Sequence, residues 1–553
     1  MDWLNYSQAG KTALLGVVAV LSVSSWTTRF ASSESRWGKA WNVVVVFPFL
    51  LLIAIQAFLR DFYGVAHDDN IVIEALFSTD SSEAGEFLLQ NAIGVVKHLA
   101  ILAGCTAFFG WIVSRNPGKR NGKRCALEPS PGDSGNLLRL RRRRTVLAVV
   151  FLALFAAAHL NPAMRKDDPI LYFPLRYIKW NKGIEATKKL QAELNKTYSD
   201  KDLASIQYSG NGPRTVVFVI GESTTRLNWS MYGYPRVTNP ELQALGADLV
   251  RFEDVVASDG TTVPAFQKFL TPATIAEPDL WKKKPDILTM AKKAGYKTFW
   301  ISNQGSQSGA TGVLSIFASH ADQSVFTNRG GSREESSLDE VLFAPFQKAL
   351  SDPAPRKFII LHTLGAHPAY NFRYPKSFAR FDKADDAVSK GLKSSGRAFW
   401  AVIQRNNYDN AMLYIDHILK RSLDMCKSVP GPVAWLFVPD HGEDVAHYTN
   451  FAGHNTRVAS QYEVPMLLWR SETFEAPKSD PDKIRLRPYQ LDMLDHTLLG
   501  LLSVTGNYYD SGHDILSSGF KESPRIVAGA PYRDASGNPA RTGKAAAAEP
   551  LLR

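Results

Sequence analysis

VVFVIGES (Val216–Ser223) and AWLFVPDHGE (Ala434–Glu443) decide the fold. Each is a β-branched and aromatic run that stops abruptly at charged residues: Glu222 in the first, Asp440 and His441 in the second. An apolar run of this kind reads as a strand covered on both faces, and open α/β sheets bind their ligands at the carboxyl ends of such strands. Glu, Asp and His meeting at one edge suit a hard or borderline divalent cation. A cation beside a hydroxyl side chain is the equipment of phosphoryl or sulfuryl transfer.

Outward from these two runs, further strands are expected at Arg251–Val256, Thr298–Ile301, Phe358–His362 and Pro465–Trp469, besides Thr215–Ile220 and Trp435–Val438. Helical spacing lies between them, for example at Pro285–Ala294 and Tyr408–Leu423. Alternating strands and helices predict a mainly parallel sheet with helices on both faces, an α/β domain over residues 211–528. Residues 529–553 are rich in Ala, Gly and Pro and read as a disordered tail. Within the domain only Cys426 is a cysteine, so its stability is expected to come from its own core without an internal disulfide.

The first third of the chain is different. Apolar runs at about Thr12–Trp26, Ala40–Leu59, Ala92–Val113 and Thr145–Leu160 predict a transmembrane domain of about four helices over residues 1–163. The stretch between the third and fourth runs holds Arg115, Lys119, Arg120, Lys123, Arg124, Arg139 and Arg141–Arg144 against only two acids, Glu128 and Asp133. The positive-inside rule places this loop in the cytoplasm and everything after the fourth run outside. The net charge of +11 owes much to this loop and is therefore not read as nucleic-acid binding. Residues 164–210 form a mixed-charge connector whose Tyr177, Trp180, Ile184, Leu190 and Leu194 are spaced for a helix near the membrane.

Several longer segments carry a family resemblance: VVFVIGESTTRLNWSMYGYPRVTNPEL (Val216–Leu242), DILTMAKKAGYKTFWISNQ (Asp286–Gln304), FIILHTLGAHPAYNFRYP (Phe358–Pro375), NNYDNAMLYIDHIL (Asn406–Leu419), VPDHGED (Val438–Asp444) and YEVPMLLW (Tyr462–Trp469). In this order they resemble the bacterial phosphoethanolamine transferases, inner-membrane enzymes with a periplasmic domain of the alkaline phosphatase/sulfatase fold. FSTDSSEAGEFL (Phe77–Leu88) resembles the family's outward loop, with an acidic pair at Glu83 and Glu86. Three departures stand out: four spans in place of the usual five, no disulfides in the outer domain, and a nucleophile segment SDGTTVPAFQKFLTPA (Ser258–Ala273) without flanking cysteines. The nucleophile segment and GESTTR (Gly221–Arg226) place the resemblance nearest the branch that decorates the lipopolysaccharide core.

The resemblance implies transfer of phosphoethanolamine from phosphatidylethanolamine, through a covalent threonine adduct, to lipopolysaccharide (core sugar or lipid A) or another envelope glycan. Thr262 is the expected nucleophile, with Thr261 the alternative. It lies in the turn Gly260-Thr261-Thr262-Val263-Pro264, and Pro264 suits a first helical turn, where a hydroxyl meets free N–H groups. A neutral threonine hydroxyl needs activation by a base or a cation. The resemblance assigns Glu222, Thr262, Asp440 and His441 to zinc; that N/O set also admits Mn²⁺ or Mg²⁺. His367 and His454 are expected to line the phosphate, Glu83 and Glu86 to face the ethanolamine ammonium, and Glu443 to orient His441. His362 is expected to be buried in its strand, and Trp229, Tyr232 and Tyr234 to shape the core. A hydrolase of the same fold, a polyglycerolphosphate synthase and an inactive scaffold are the alternatives; the complete ligand set speaks against the last.

Overall fold

The computed structural model describes residues 10–21, 36–63, 85, 87–89, 91–114, 134–160, 164, 167–170, 172–178, 182, 185, 189, 192, 203–304, 311–328, 338–383, 385–475 and 480–532. The chain divides into two compact units, Met1–Phe77 with Asn91–Gly183, and Ser78–Gln90 with Ile184–Arg553.

In the first unit each of the four expected apolar runs contains a helix among the described residues: α1 (Gly10–Leu21), α2 (Arg36–Tyr63), α3 (Ala92–Ser114) and α4 (Ser134–Ala158). Among the described residues two helices are long and apolar enough to cross a bilayer, over Ala40–Asp61 and Ala92–Ile112; α1 and the apolar part of α4, Thr145–Ala158, are shorter. Lys97 and His98, which interrupt the third run, both face Asp61 Oδ2 at 3.3 Å. The charges thus meet at one end of the paired helices α2 and α3, clear of their apolar middles.

The second unit is built on a seven-stranded sheet. Its strands are β1 (Arg214–Gly221), β2 (Val250–Phe252), β3 (Lys297–Ser302), β4 (Gln323–Phe326), β5 (Arg356–His362), β6 (Val433–Pro439) and β7 (Met466–Arg470). They lie in the order β2-β7-β6-β1-β5-β3-β4. β6, β1, β5, β3 and β4 run parallel, whereas β7 is antiparallel to both its neighbours, so the sheet is mixed. The expected strand Arg251–Val256 is two pieces: β2, and Val255–Val256, which pairs with Tyr489–Gln490 outside the main sheet. The break falls at Glu253 and Asp254, held by Arg485 and Arg525.

Side chains of β1 alternate between two cores. Val216, Phe218 and Ile220 join one, packed by α5 (Thr262–Phe269), α6 (Ile287–Lys293) and α9 (Leu494–Leu501). Val217 and Val219 join the other, packed by α7 (Phe343–Leu350) and by the long helix α8 (Phe399–Lys427) through Tyr408, Met412, Ile415, Leu419 and Leu423. That is the period of two expected of a strand covered on both faces. Trp229 is fully buried in the second core, stacked on Phe437 at 5.7 Å between ring centres. Beyond residue 529, Ala530–Pro531 pairs with Ile526–Val527, and Tyr532 is buried with its hydroxyl on Glu463. The boundary expected at 529 therefore falls inside a small hairpin.

Candidate active site

β1 and β6 are neighbours in parallel register, with Gly221 opposite Pro439, so their next residues leave the sheet side by side. Glu222 follows β1; Asp440 and His441 follow β6, and the Asp440 N–H donates to Gly221 O at 3.1 Å. Gly442 then passes against Ser460, where a Cβ would lie 2.1 Å from a carbonyl oxygen, so only glycine fits. Ser223 adopts φ +52, a left-handed conformation unusual for serine. Tyr408 holds it there, its hydroxyl donating to Ser223 O (2.7 Å) and accepting the Thr225 N–H (2.9 Å). In that pose the Ser223 N–H reaches Asp440 Oδ1 (3.1 Å) and Ser223 Oγ donates to Glu222 Oε1 (2.8 Å).

Thr262 is the first residue of α5, and its Oγ1 lies 3.4 and 3.5 Å from the two Glu222 oxygens and 3.3 Å from His441 Nε2. Thr261, the alternative, turns its hydroxyl away to Asp259 Oδ1 at 3.2 Å. Pro264 sits in the first turn of α5, where its missing N–H costs no helical bond. His441 Nε2 is 3.6 Å from Glu222 Oε1 and 3.4 Å from Asp440 Oδ2. All four expected ligands thus meet in one place.

His454 joins them. Glu222, His441 and His454 each offer a ligand atom within 4.8 Å of the others. The short strands Asp444–Val445 and Ala452–Gly453 pair antiparallel and fold His454 back, so that its ring stands edge-on to His441 at 4.7 Å. Glu443 orients this histidine and not, as expected, His441: its Oε2 lies 2.7 Å from His454 Nδ1, and its Oε1 accepts the Tyr370 hydroxyl at 2.6 Å. His441 Nδ1 instead meets Gly442 O at 2.8 Å. A carboxylate only accepts, so His454 meets Glu443 through a proton on its Nδ1. His367 is half-buried and its Nδ1 has no hydrogen-bond partner. Burial, with Arg373, His454 and His441 close by, holds it well below the ordinary histidine range. His362 is buried in β5 as expected. Glu83 and Glu86 lie outside the described residues.

The donor set fits a divalent cation. Asp440 is fully buried, and its Oδ2 has no hydrogen-bond partner. Burial and the adjacent Asp440 charge push Glu222 well above the ordinary carboxylate range, a penalty that a cation between them removes. Carboxylates, imidazole lone pairs and a hydroxyl form an N/O shell of the type zinc takes.

A protein-family model described as Sulfatase matches residues 214–504. Phosphoethanolamine transferase EptC of Escherichia coli (strain K12) is 36% identical over 367 residues, covering 65% of this chain and 62% of that protein. The chain therefore spans less than two thirds of that relative's length. The crystal structure of the C-terminal periplasmic domain of EcEptC from Escherichia coli in complex with Zn superposes with a TM-score of 0.55 at 36% identity, over 61% of this chain and 93% of that one. The integral membrane protein lipooligosaccharide phosphoethanolamine transferase A from Neisseria meningitidis shares the fold over 92% of this chain and 98% of its own, with a TM-score of 0.58 at 19% identity. With a match that opens on β1, closes after α9 and takes in more than half of the residues, the chain belongs to the sulfatase family.

Proposed function

We propose that the protein is a membrane-anchored phosphoethanolamine transferase that takes its group from phosphatidylethanolamine and passes it to lipopolysaccharide or another envelope glycan. The observation that carries this reading is the convergence of the Thr262 hydroxyl with Glu222 and His441, beside an unpartnered buried Asp440 oxygen, at the carboxyl edge of β1 and β6. The likeness to EptC over the same region supports the choice of group.

Glu222, Thr262, Asp440 and His441 would hold zinc, which when bound supplies positive charge that favours an ionised hydroxyl and a more electrophilic phosphate. The threonine oxygen attacks phosphorus in line, the bond to the glycerol oxygen breaks, and diacylglycerol leaves. A phosphoethanolamine–threonine ester remains, and an acceptor hydroxyl then attacks it and restores Thr262. His367 and His454 face the phosphate. His454, backed by the Glu443 carboxylate, is the better placed to protonate the leaving oxygen, whereas His367 is held neutral and serves as a hydrogen-bonding wall. Glu83 and Glu86 would pair with the ethanolamine ammonium.

Four helices in the inner membrane, with the basic loop in the cytoplasm and the catalytic domain in the periplasm, would hold the site beside an insoluble donor. Anchoring raises the donor's effective concentration. Incubating the full-length protein with fluorescent phosphatidylethanolamine, and in parallel with phosphatidylglycerol, tests the reading. Diacylglycerol released from the first alone is the expected result. Release from phosphatidylglycerol alone would replace this reading with a polyglycerolphosphate-type transferase, and free phosphoethanolamine formed without an acceptor would replace it with a hydrolase.

A further inference from the structure

Asp339 has no part in the chemistry described above, yet it is 4% exposed and fully engaged. One oxygen accepts the Leu364 N–H (2.7 Å) and Asn303 Nδ2 (3.0 Å); the other accepts the Gly365 N–H (3.0 Å). Two consecutive backbone donors on the two oxygens of one buried carboxylate fix the conformation of that turn. The turn is itself fastened to the end of β1. Thr363 N–H donates to Ile220 O and Ala366 N–H to Glu222 O, both at 3.0 Å. Gly365, at φ +53, lies so close that a Cβ would sit 2.9 Å from both the N and the O of Glu222. His367 follows directly.

The WISNQ segment (Trp300–Gln304) closes the same assembly from β3. Asn303, whose side chain holds Asp339, also donates its backbone N–H to His362 O at 2.9 Å. The next residue, Gln304, donates through Nε2 to Glu222 Oε2 (3.4 Å) and to Thr363 O (3.3 Å). One dipeptide therefore touches both the carboxylate that sets the turn and the carboxylate expected to hold the cation.

We infer that Asp339, braced by Asn303, is a positioning residue that locks the Thr363–His367 turn against Glu222, and so fixes both the cation site and His367. The inference rests on the proposed reading for its catalytic part and on geometry alone for its metal part. An asparagine at 339 keeps the shape but offers one acceptor and turns an NH₂ group toward a backbone N–H, so it breaks the lock without opening a cavity.

The test compares full-length wild type with Asp339→Asn, Asn303→Ala, His367→Ala and Asp339→Asn/His367→Ala. Zinc affinity is measured by chelator competition and turnover by diacylglycerol release, both below the melting temperature of every variant. Asp339→Asn is expected to weaken zinc and slow turnover about tenfold each, the usual consequence of disturbing a residue that orients metal ligands. Asn303→Ala should give a smaller loss in both. The double variant should turn over no more than about threefold slower than His367→Ala, since coupled residues do not add. Wild-type zinc affinity in Asp339→Asn, or turnover losses that multiply with His367→Ala, would overturn the inference. Should Asp339→Asn fail to fold, Asn303→Ala decides: wild-type zinc affinity and turnover in that variant overturn it, and a loss in both supports it. Should wild type release no diacylglycerol, the proposed function falls while the zinc measurement still decides the lock.

Discussion

The two units of this chain treat their apolar surface in opposite ways. In the helical unit, Ile93 on α3 is 84% exposed and Phe108 61%, with Leu152 on α4 at 59%; in the sheet, every residue of β1 is buried. Exposed Leu, Ile and Phe in such number are what a lipid-facing helix presents. A strand sealed on both faces, by contrast, has nowhere to put polar chemistry except beyond its carboxyl end. Glu222, Asp440 and His441 stand there, and one hydroxyl comes to them from α5. The contrast teaches where each unit is vulnerable: the sheet domain to cavities within and to changes at one edge, the helices to charge on their outer face.

The largest expected effect is at the edge. Thr262→Ala should lower diacylglycerol release by about a thousandfold or more while zinc content stays close to wild type, because three further proposed ligands remain. Turnover that survives the change would move the chemistry off that edge. Next comes the sealed core. Trp229→Ala should destabilise the sheet domain by about 3–5 kcal/mol in denaturant unfolding, whereas Ile93→Ala on the outer face of α3 should change stability in detergent by no more than about 0.5 kcal/mol. Equal costs at the two sites would erase the comparison. A charge sharpens it from the other side: Ile101→Lys, half exposed near the middle of α3, should raise the cost of membrane insertion by about 3–4 kcal/mol in a translocon assay. An unchanged insertion efficiency would argue against lipid around that helix.

The last effect concerns pH. Burial lowers His362 from the ordinary histidine value of 6.5 to about 4, so between those values the unfolded chain binds the proton that the folded domain refuses. Its contribution to stability is therefore complete above about pH 6.5 and is lost as the pH falls toward 4. In His362→Gln, melting temperature should fall less steeply than in wild type over this interval; parallel curves would show that this residue is protonated in the folded state as readily as in the unfolded one.

Much of the sheet is legible in the sequence because strands buried on both faces are continuous β-branched runs, as at Val216–Ile220 and Phe358–His362. Direction is not legible: the spacing in Met466–Arg470 is the same whether the strand runs with its neighbours or against them, and only the structure shows it reversed. The edge strand Gln323–Phe326 is short and largely exposed, so it carries no such run. At the site, residues that directly follow strong strands are read from the strand pattern itself, while Thr262 and His454, which arrive by tertiary folding, are named only through the family resemblance. His454 reads as a loop histidine until the Asp444–Val445 and Ala452–Gly453 pairing returns it to His441. Tyr370 and Tyr408 are buried core aromatics that the sequence does not single out, and only their hydroxyls, on Glu443 and Ser223, tie them to the site. Glu443 sits two residues from His441, and proximity in sequence pointed to the wrong histidine.

Intact-mass and peptide mass spectrometry of the protein after exposure to phosphatidylethanolamine, with acceptor withheld, reads the central step directly. The account predicts a single added phosphoethanolamine, localised to Thr262 and missing from the Thr262→Ala variant. An adduct that persists in that variant, or diacylglycerol release from wild type with the group on no residue of the chain, would contradict it.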